Sequence, residues 1–169
     1  MCVSVCLSVC LSVSLSMLAC LCSHVQLFVW DVPSFECVHR VETKLGQIHS
    51  LAITADFVVC GTYNRNIHLF RRDTMQHLGE VFGHLGTIHA LSVTPCGQYL
   101  FSASIDATVK LWNLRNKLLI QTLQRHDGSV NAVLFHQNLL FSGSADKTLK
   151  VRVCVCVFVC VCVCVCVCV

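Results

Sequence analysis

The chain has 169 residues, enough for one ordinary domain, and a net charge of +3 at neutral pH. A charge this small, without a basic cluster, argues against a nucleic-acid-binding protein, and we expect no nucleic-acid partner. All Asp, Glu, Lys and Arg residues lie between Asp31 and Arg152, so the hydrophobic content of 55% reflects two uncharged ends. We therefore divide the chain into a low-complexity segment (1–23), a central domain (24–152) and a low-complexity tail (153–169).

The N-terminal segment alternates strictly between two kinds of residue. From residue 2 to residue 16, every even position is Cys or Ser and every odd position is Val or Leu. The codons for this pattern place thymine at every second base, so we interpret the segment as translated repeat DNA without a selected function. An alternative is that this apolar stretch is the signal or membrane anchor of a secreted, cysteine-rich protein, although it lacks the positively charged start of a signal peptide.

The central domain is built from repeated units. Their anchor positions in the third predicted strand are Trp30, Phe70, Trp112 and Arg152, which are 40, 42 and 40 residues apart. The first of these units is partial. In a complete unit, IHALSVT, YLFSASI, VKLWNL and LLIQTLQ alternate as strands do and are separated by turn-forming residues. Four short strands in about 40 residues are typical of one β-propeller blade. The sequence therefore predicts an all-β fold, a partial propeller of about three blades that forms an open arc.

The tail consists almost entirely of alternating Val and Cys, which is the translation of a plain GT tract. Its period also suits a sheet edge, so it can supply a missing strand after residues 149–151. Cysteines that alternate along a strand share one face without the turns that enclose a tetrahedral metal ion, and we expect no metal and no cofactor. The central cysteines Cys37, Cys60 and Cys96 form no C-x-x-C pair and are predicted to be small buried hydrophobes.

Four polar residues of the second unit identify a resemblance to the WD40-repeat family, whose blades share a hydrogen-bonded His, Ser, Asp and Trp tetrad. The second unit has all four, as His84, Ser102, Asp106 and Trp112. The resemblance implies that His84 donates to Asp106 and to Ser102, and that Trp112 donates to Ser102. The Asp residue of such a tetrad is expected to be structural, not catalytic.

The other units depart from this pattern. The third unit has His126, Ser142 and Asp146, but Arg152 stands where the family has Trp. The first unit has Lys44, Cys60, Asn64 and Phe70 in the four places. We therefore expect the first blade to rely on apolar packing alone.

Several stretches, among them VVCGTYNRNIHLF and FSASIDATVKLW, also resemble the C-terminal propeller of a WD40-containing TNF-receptor-associated factor, a RING E3 ubiquitin ligase. In that class the RING domain carries the catalysis, and this chain has none, so we expect no enzymatic activity. The resemblance implies a cytoplasmic scaffold that binds other proteins, including a MAP-kinase kinase kinase or ubiquitylation substrates. It implies no small-molecule substrate. A truncated gene product without a function is a further alternative.

Repeat geometry places a set of residues in loops at one end of the blades, where propellers bind partners. These predicted partner-binding residues are Tyr63, Leu85, Thr87, Ile105, Asp127, Ser129 and Ala145, with Gln47 beside them. His49 and His89 occupy equivalent places on the first strands and are interpreted as a polar repeat position, not a metal site. Open edges of the end blades are expected to promote self-association.

Overall fold

A computed structural model describes residues 17–22, 26–31, 33–42, 46–153 and 165–168, with side chains described for 26–31, 33–41 and 46–152. Within these ranges every regular element is a β-strand, and the fifteen strands form four antiparallel sheets. The predicted all-β partial propeller is confirmed. The leading partial unit forms a sheet of its own, so there are four sheets where about three blades were predicted.

The sheets follow one another along the chain, and within each sheet consecutive strands are neighbours. Sheet I contains β1 (Met17–Cys22), β2 (Gln26–Asp31) and β3 (Cys37–Glu42). Sheet II contains β4 (Ile48–Ile53), β5 (Phe57–Thr62), β6 (Ile67–Arg71) and β7 (His77–Val81). Sheet III contains β8 (Ile88–Val93), β9 (Tyr99–Ser104), β10 (Thr108–Asn113) and β11 (Leu118–Gln124). Sheet IV contains β12 (Val130–His136), β13 (Leu139–Ser144), β14 (Thr148–Val153) and β15 (Val165–Cys168).

Alternating apolar residues pack the sheets face to face, with β4 against β8 and β8 against β12. We call the face of a sheet that meets the next sheet along the chain its front face, and the opposite face its back face. Phe101 and Leu111 on the front face of sheet III pack against Val130 and Leu140 on the back face of sheet IV. Because both faces of sheet III are covered, every residue of β9 is buried.

The pairing of neighbouring strands is irregular at equivalent positions in successive sheets. The first strands of sheets II, III and IV each carry a β-bulge, which leaves His49, His89 and Asn131 outside the pairing with the second strand. A second irregularity recurs between the third and fourth strands, at Leu69/Phe70 and Leu111/Trp112. Such bulges bend the strand and increase its local twist, so their repetition gives the sheets a common shape.

The tail supplies the fourth strand of sheet IV, as its alternation predicts. Strand β15 pairs antiparallel with β14, with Val165 opposite Val151 and Cys168 opposite Thr148. The predictions made for residues 1–16 and 154–164 lie outside the described part of the chain.

The prediction for the central cysteines is correct for only one of the three. Cys60 is fully buried in β5, and burial raises the pKa of its thiol to about 12. Cys37 and Cys96 are exposed, which corrects the prediction. Cys37 begins the outer strand β3 and Cys96 lies in the turn between β8 and β9, so neither place is covered by a neighbouring sheet.

Candidate functional site

The four tetrad residues of the second unit form one hydrogen-bonded chain inside sheet III. His84 Nδ1 lies 2.8 Å from Asp106 Oδ2, and His84 Nε2 lies 2.7 Å from Ser102 Oγ. Trp112 Nε1 donates to Ser102 Oγ over 2.7 Å. The structure therefore brings together residues that are up to 28 positions apart, between the turn before β8 and the end of β10.

A carboxylate only accepts hydrogen bonds, so His84 donates from Nδ1 to Asp106, as the resemblance implies. Ser102 Oγ is buried between His84 Nε2 and Trp112, and it accepts the indole N–H. The buried hydroxyl therefore has a partner on each side.

The carboxylate of Asp106 has further donors, of which the Thr108 hydroxyl was not predicted from the sequence. Thr108 Oγ1 donates to Asp106 Oδ1 over 2.6 Å, and the N–H groups of Leu85 and Thr108 add bonds of 2.8 and 3.0 Å. Ser104 Oγ accepts from the Asp106 N–H at 3.2 Å. A sequence signal for these contacts exists, since S-x-D-x-T occurs in both SIDAT and SADKT.

These donors govern the charge state of Asp106. Burial by itself would raise the pKa of this carboxyl, but the hydrogen bonds from His84, Thr108 and the Leu85 N–H outweigh burial and hold the pKa well below its usual range. Asp106 is therefore a permanently ionised acceptor near neutral pH, which suits a structural role and not that of a general acid.

Sheet IV repeats the network without its Trp. His126 Nδ1 lies 2.8 Å from Asp146 Oδ2, and His126 Nε2 lies 2.8 Å from Ser142 Oγ. Thr148 donates to the carboxylate of Asp146 at 2.6 Å, and this bond, with those of His126 and Asp127, lowers the pKa of Asp146 well below its usual range. Arg152 stands in the Trp place, so Ser142 receives no indole N–H.

Sheet II has no tetrad, yet it does not rely on apolar packing alone, which corrects the expectation for the first blade. Cys60 and Phe70 are buried, and Lys44 lies outside the described residues. A polar cluster lies instead around the third and fourth strands of sheet II. There, Asn66 Nδ2 donates to Glu80 Oε2 at 3.0 Å, and His68 Nδ1 lies 3.4 Å from His77 Nε2. These residues are on β6 and β7 and in the turn before β6, at places that the family pattern does not specify.

The predicted partner-binding residues lie in loops at one end of the sheets, which we call the rim (residues 46–47, 63–66, 82–87, 105–107, 125–129 and 145–147). The rim is held by one backbone hydrogen bond that recurs in three sheets. It runs from Tyr63 N to Gln47 O at 2.8 Å, from Ile105 N to Thr87 O at 3.0 Å and from Ala145 N to Ser129 O at 2.8 Å. Each bond ties the loop before a first strand to the turn after the second strand.

The side chains of the rim differ in exposure. Leu85 is 80% exposed, Tyr63 is 60% exposed and Ile105 is 49% exposed. Asp127 and Ala145 are also exposed, and Ser129 is half-buried. Thr87 departs from the prediction because it is buried and its hydroxyl donates to Tyr63 O at 3.3 Å, so it links two sheets and does not face a partner.

His49 and His89, at equivalent places on the first strands of sheets II and III, lie close together. The His49 and His89 rings are 5.9 Å apart edge to face, and the Tyr63 ring is 6.1 Å from His49. Burial and the neighbouring His49 lower the pKa of His89. Within the described residues, no group of three or more His, Cys, Asp and Glu side chains is arranged to hold a metal ion. No helix in that part of the chain has the length and apolar character needed to cross a bilayer.

Comparison with known proteins points to one repeat family. The family model for the WD domain, G-beta repeat (WD40) matches residues 75–113 and 117–152, which contain most of sheets III and IV. The fold is also similar to a crystal structure of the RRP9 WD40 repeats, with a TM-score of 0.76 and 22% sequence identity. The match covers 81% of this chain and 44% of the RRP9 chain. A likeness at that identity supports the fold alone.

Three curated relatives illustrate how varied the similar proteins are. Over 72% of this chain, the sequence is 32% identical to the CCR4-associated factor 4 homolog of Candida glabrata. Over the same share of this chain, it is 29% identical to the ribosome biogenesis protein YTM1 of Candida albicans. It is 34% identical to human striatin-3 over 53% of its length. The aligned regions cover only 24%, 28% and 12% of these relatives. Together, the two matched repeats and the solved structure support a WD40-type fold, and the chain spans about a quarter or less of these relatives.

Proposed function

We propose that this WD40-repeat chain is a non-catalytic scaffold that binds other proteins through its rim. The observation that carries the proposal is the set of exposed apolar side chains, Tyr63, Leu85 and Ile105, on a backbone held by recurring hydrogen bonds. Large apolar or aromatic side chains on a rigid support are the usual anchors of protein interfaces. A rigid loop also loses little conformational entropy when a partner binds.

The rim anchors form a continuous surface across two sheets. The Thr87 hydroxyl reaches Tyr63 O, and the Thr87 carbonyl accepts from Ile105 N, so Thr87 joins the turns that carry Tyr63 and Ile105. Leu85 lies two residues before Thr87, and its N–H is bound by the Asp106 carboxylate. The tetrad of sheet III thus supports the loop that presents the most exposed of the three anchors.

For the partner, we propose a cytoplasmic role in directing ubiquitylation and MAP-kinase signalling, with a MAP-kinase kinase kinase or ubiquitylation substrates as the bound proteins. This finer proposal rests on the sequence resemblance to the WD40-containing RING ligase. The named relatives do not share one activity, since their names refer to a CCR4-associated factor, to ribosome biogenesis and to striatin. The rim proposal does not depend on the identity of the partner.

The rim proposal is tested by proximity labelling in cells with three forms of the chain. These are the wild type, a double variant Tyr63→Ala with Ile105→Ala, and a control Leu118→Ala, whose residue is 60% exposed on the outer strand β11 away from the rim. We expect the control to label the same proteins as the wild type and the double variant to lose a defined subset. Identical sets for all three would refute the rim as the binding surface.

The finer proposal is tested by direct binding of the purified chain to a purified MAP-kinase kinase kinase. We expect binding that weakens at least about 10-fold in the double variant, which corresponds to about 1.4 kcal/mol. Absence of binding by the wild type would reject this partner while leaving the rim proposal to the labelling experiment. Cell fractionation tests the location, and recovery of the chain in the secretory pathway would contradict a cytoplasmic role.

A further inference from the structure

Sheet IV has an apolar front face that is open to solvent. Leu134 and Leu149 on this face are 58% and 36% exposed, and Phe141 and Val151 beside them are only partly buried. Removing apolar side chains from water is favourable, so a continuous face of this kind has a strong tendency to be covered.

The matching front face of sheet III shows what covers such a surface. Phe101, Val109 and Leu111, which correspond to Phe141, Leu149 and Val151, are each at most 3% exposed. They lie under the back face of sheet IV, which contributes residues such as Val133 and Leu140.

Sheet II is covered in the same way. Val59 and Leu69 on its front face pack against Ile88 and Trp112 on the back face of sheet III. The described sheets therefore repeat one interface, an aliphatic front face under the back of the next sheet.

A back face of this type is available at the other end of the described arc, on sheet I. Leu27 and Val29 of β2 point toward sheet II, so the alternating Phe28 and Trp30 lie on the back face. Trp30 occupies the place of Phe70 and Trp112, which are buried under the preceding sheets.

The two aromatic residues on the back of sheet I are not buried in this way. Phe28 and Trp30 are only partly buried, and their ring centroids lie 6.4 Å apart. The Arg40 guanidinium lies 5.5 Å from the Phe28 ring centroid.

We propose that two copies of this chain associate head to tail, with the front face of sheet IV in each copy covered by the back face of sheet I in the other. The contact joins two different surfaces, so it forms a closed ring or an open filament. The four sheets of the described residues give eight sheets in two copies, which is within the four to eight blades of closed propellers, so the proposed ring closes with two copies.

The proposal is tested by sedimentation equilibrium of the full chain in reducing buffer, which prevents disulfides between the cysteine-rich ends. Leu134→Glu disrupts the front face of sheet IV, Phe28→Glu disrupts the back face of sheet I, and Leu118→Glu is a control at an equally exposed leucine. Leu134→Ser, which copies Ser92 of the preceding unit, is a second front-face variant in case the first does not fold. Circular dichroism verifies that each variant retains its strands.

We expect the wild type and the Leu118→Glu control to have twice the chain mass of 18.7 kDa, and each face variant alone to have the mass of one chain. An equimolar mixture of Leu134→Glu and Phe28→Glu is expected to regain the doubled mass, because one of its two interfaces is then wild type on both sides. A wild type that stays at the mass of one chain at about 0.1 mM would overturn the proposal. A doubled mass in Phe28→Glu would also overturn the proposal, since it indicates a contact that does not use the back face of sheet I. Open filaments of the wild type would overturn the closed ring of two copies.

Discussion

Sheets III and IV carry the same polar network with one difference. In both, the His to Asp distance is 2.8 Å and a Thr hydroxyl donates to the carboxylate at 2.6 Å. Only sheet III has the indole donor, since Trp112 binds Ser102 where sheet IV has Arg152. Because the turn geometry is the same with and without Trp, we infer that His, Asp and Thr define the turn.

Trp112 also packs between two sheets. Its ring is 1% exposed and belongs to the apolar cluster between sheets II and III, together with Ile88 and Leu100. A Cβ built on Gly83, whose φ is +151°, would come within 2.9 Å of the ring, so the backbone before β8 packs directly on the indole. The His, Asp and Thr residues therefore form the turn, and Trp112 contributes to packing between sheets.

The largest effect is expected from removing this packing. Trp112→Ala should lower the free energy of unfolding by about 3–5 kcal/mol, because it leaves a cavity between two sheets and removes the donor to Ser102. Arg152→Ala, at the matching place in sheet IV, should cost about 1 kcal/mol or less. Urea denaturation followed by circular dichroism measures both, and similar losses would contradict the role of Trp112 in packing between sheets.

The second prediction concerns the carboxylate that both sheets share. Asp106→Ala should lower the free energy of unfolding by about 2–4 kcal/mol, because His84 and the turn N–H groups lose their acceptor while buried. Asp146→Ala should cost less, because its network is more exposed to water. Denaturation midpoints that coincide for wild type and Asp106→Ala would contradict the role of the network.

Acidification should affect the same carboxylates. Their pKa values are lowered in the folded chain, so they contribute stability above the unfolded pKa of about 3.9 that is lost as the pH falls further toward the folded values. We expect the free energy of unfolding to fall steeply below about pH 4 and less steeply in Asp106→Asn. Equal slopes for the two proteins in acid denaturation would show that Asp106 is not the group that titrates.

The smallest effect is expected from completing the network of sheet IV. Arg152→Trp should raise the free energy of unfolding by about 0.5–1.5 kcal/mol, because it gives Ser142 the indole donor that Ser102 has. Arg152→Phe is the matched control, since it adds an aromatic ring without an N–H group. If both variants have the same stability, the indole hydrogen bond contributes nothing measurable.

The parts of the fold that follow from local pattern could be predicted from the sequence. The spacing of Trp30, Phe70, Trp112 and Arg152 gave the repeat, and alternation gave the strands. The tetrad residues could be named because a repeat places them at fixed offsets.

Other features depend on how distant strands meet, and they were not predicted. Neither the bulges that leave His49 and His89 unpaired nor the contact between His68 and His77 has a signature in a short stretch of sequence. Repeat geometry places Thr87 on the predicted binding surface. Its burial results from a contact with the neighbouring sheet at Tyr63, which no single repeat reveals.

The last strand of each sheet imposes little constraint on the identity of its side chains. CVHRVE, HLGEV, LLIQTLQ and VCVC have no common motif, yet each forms the last strand of a sheet, with one neighbour instead of two. An edge place of this kind selects for backbone direction and extended conformation, so unrelated peptides are interchangeable there. A strand offered in trans is then a natural competitor for the place of β15, and a synthetic peptide of alternating Val and Thr is a candidate for such an exchange.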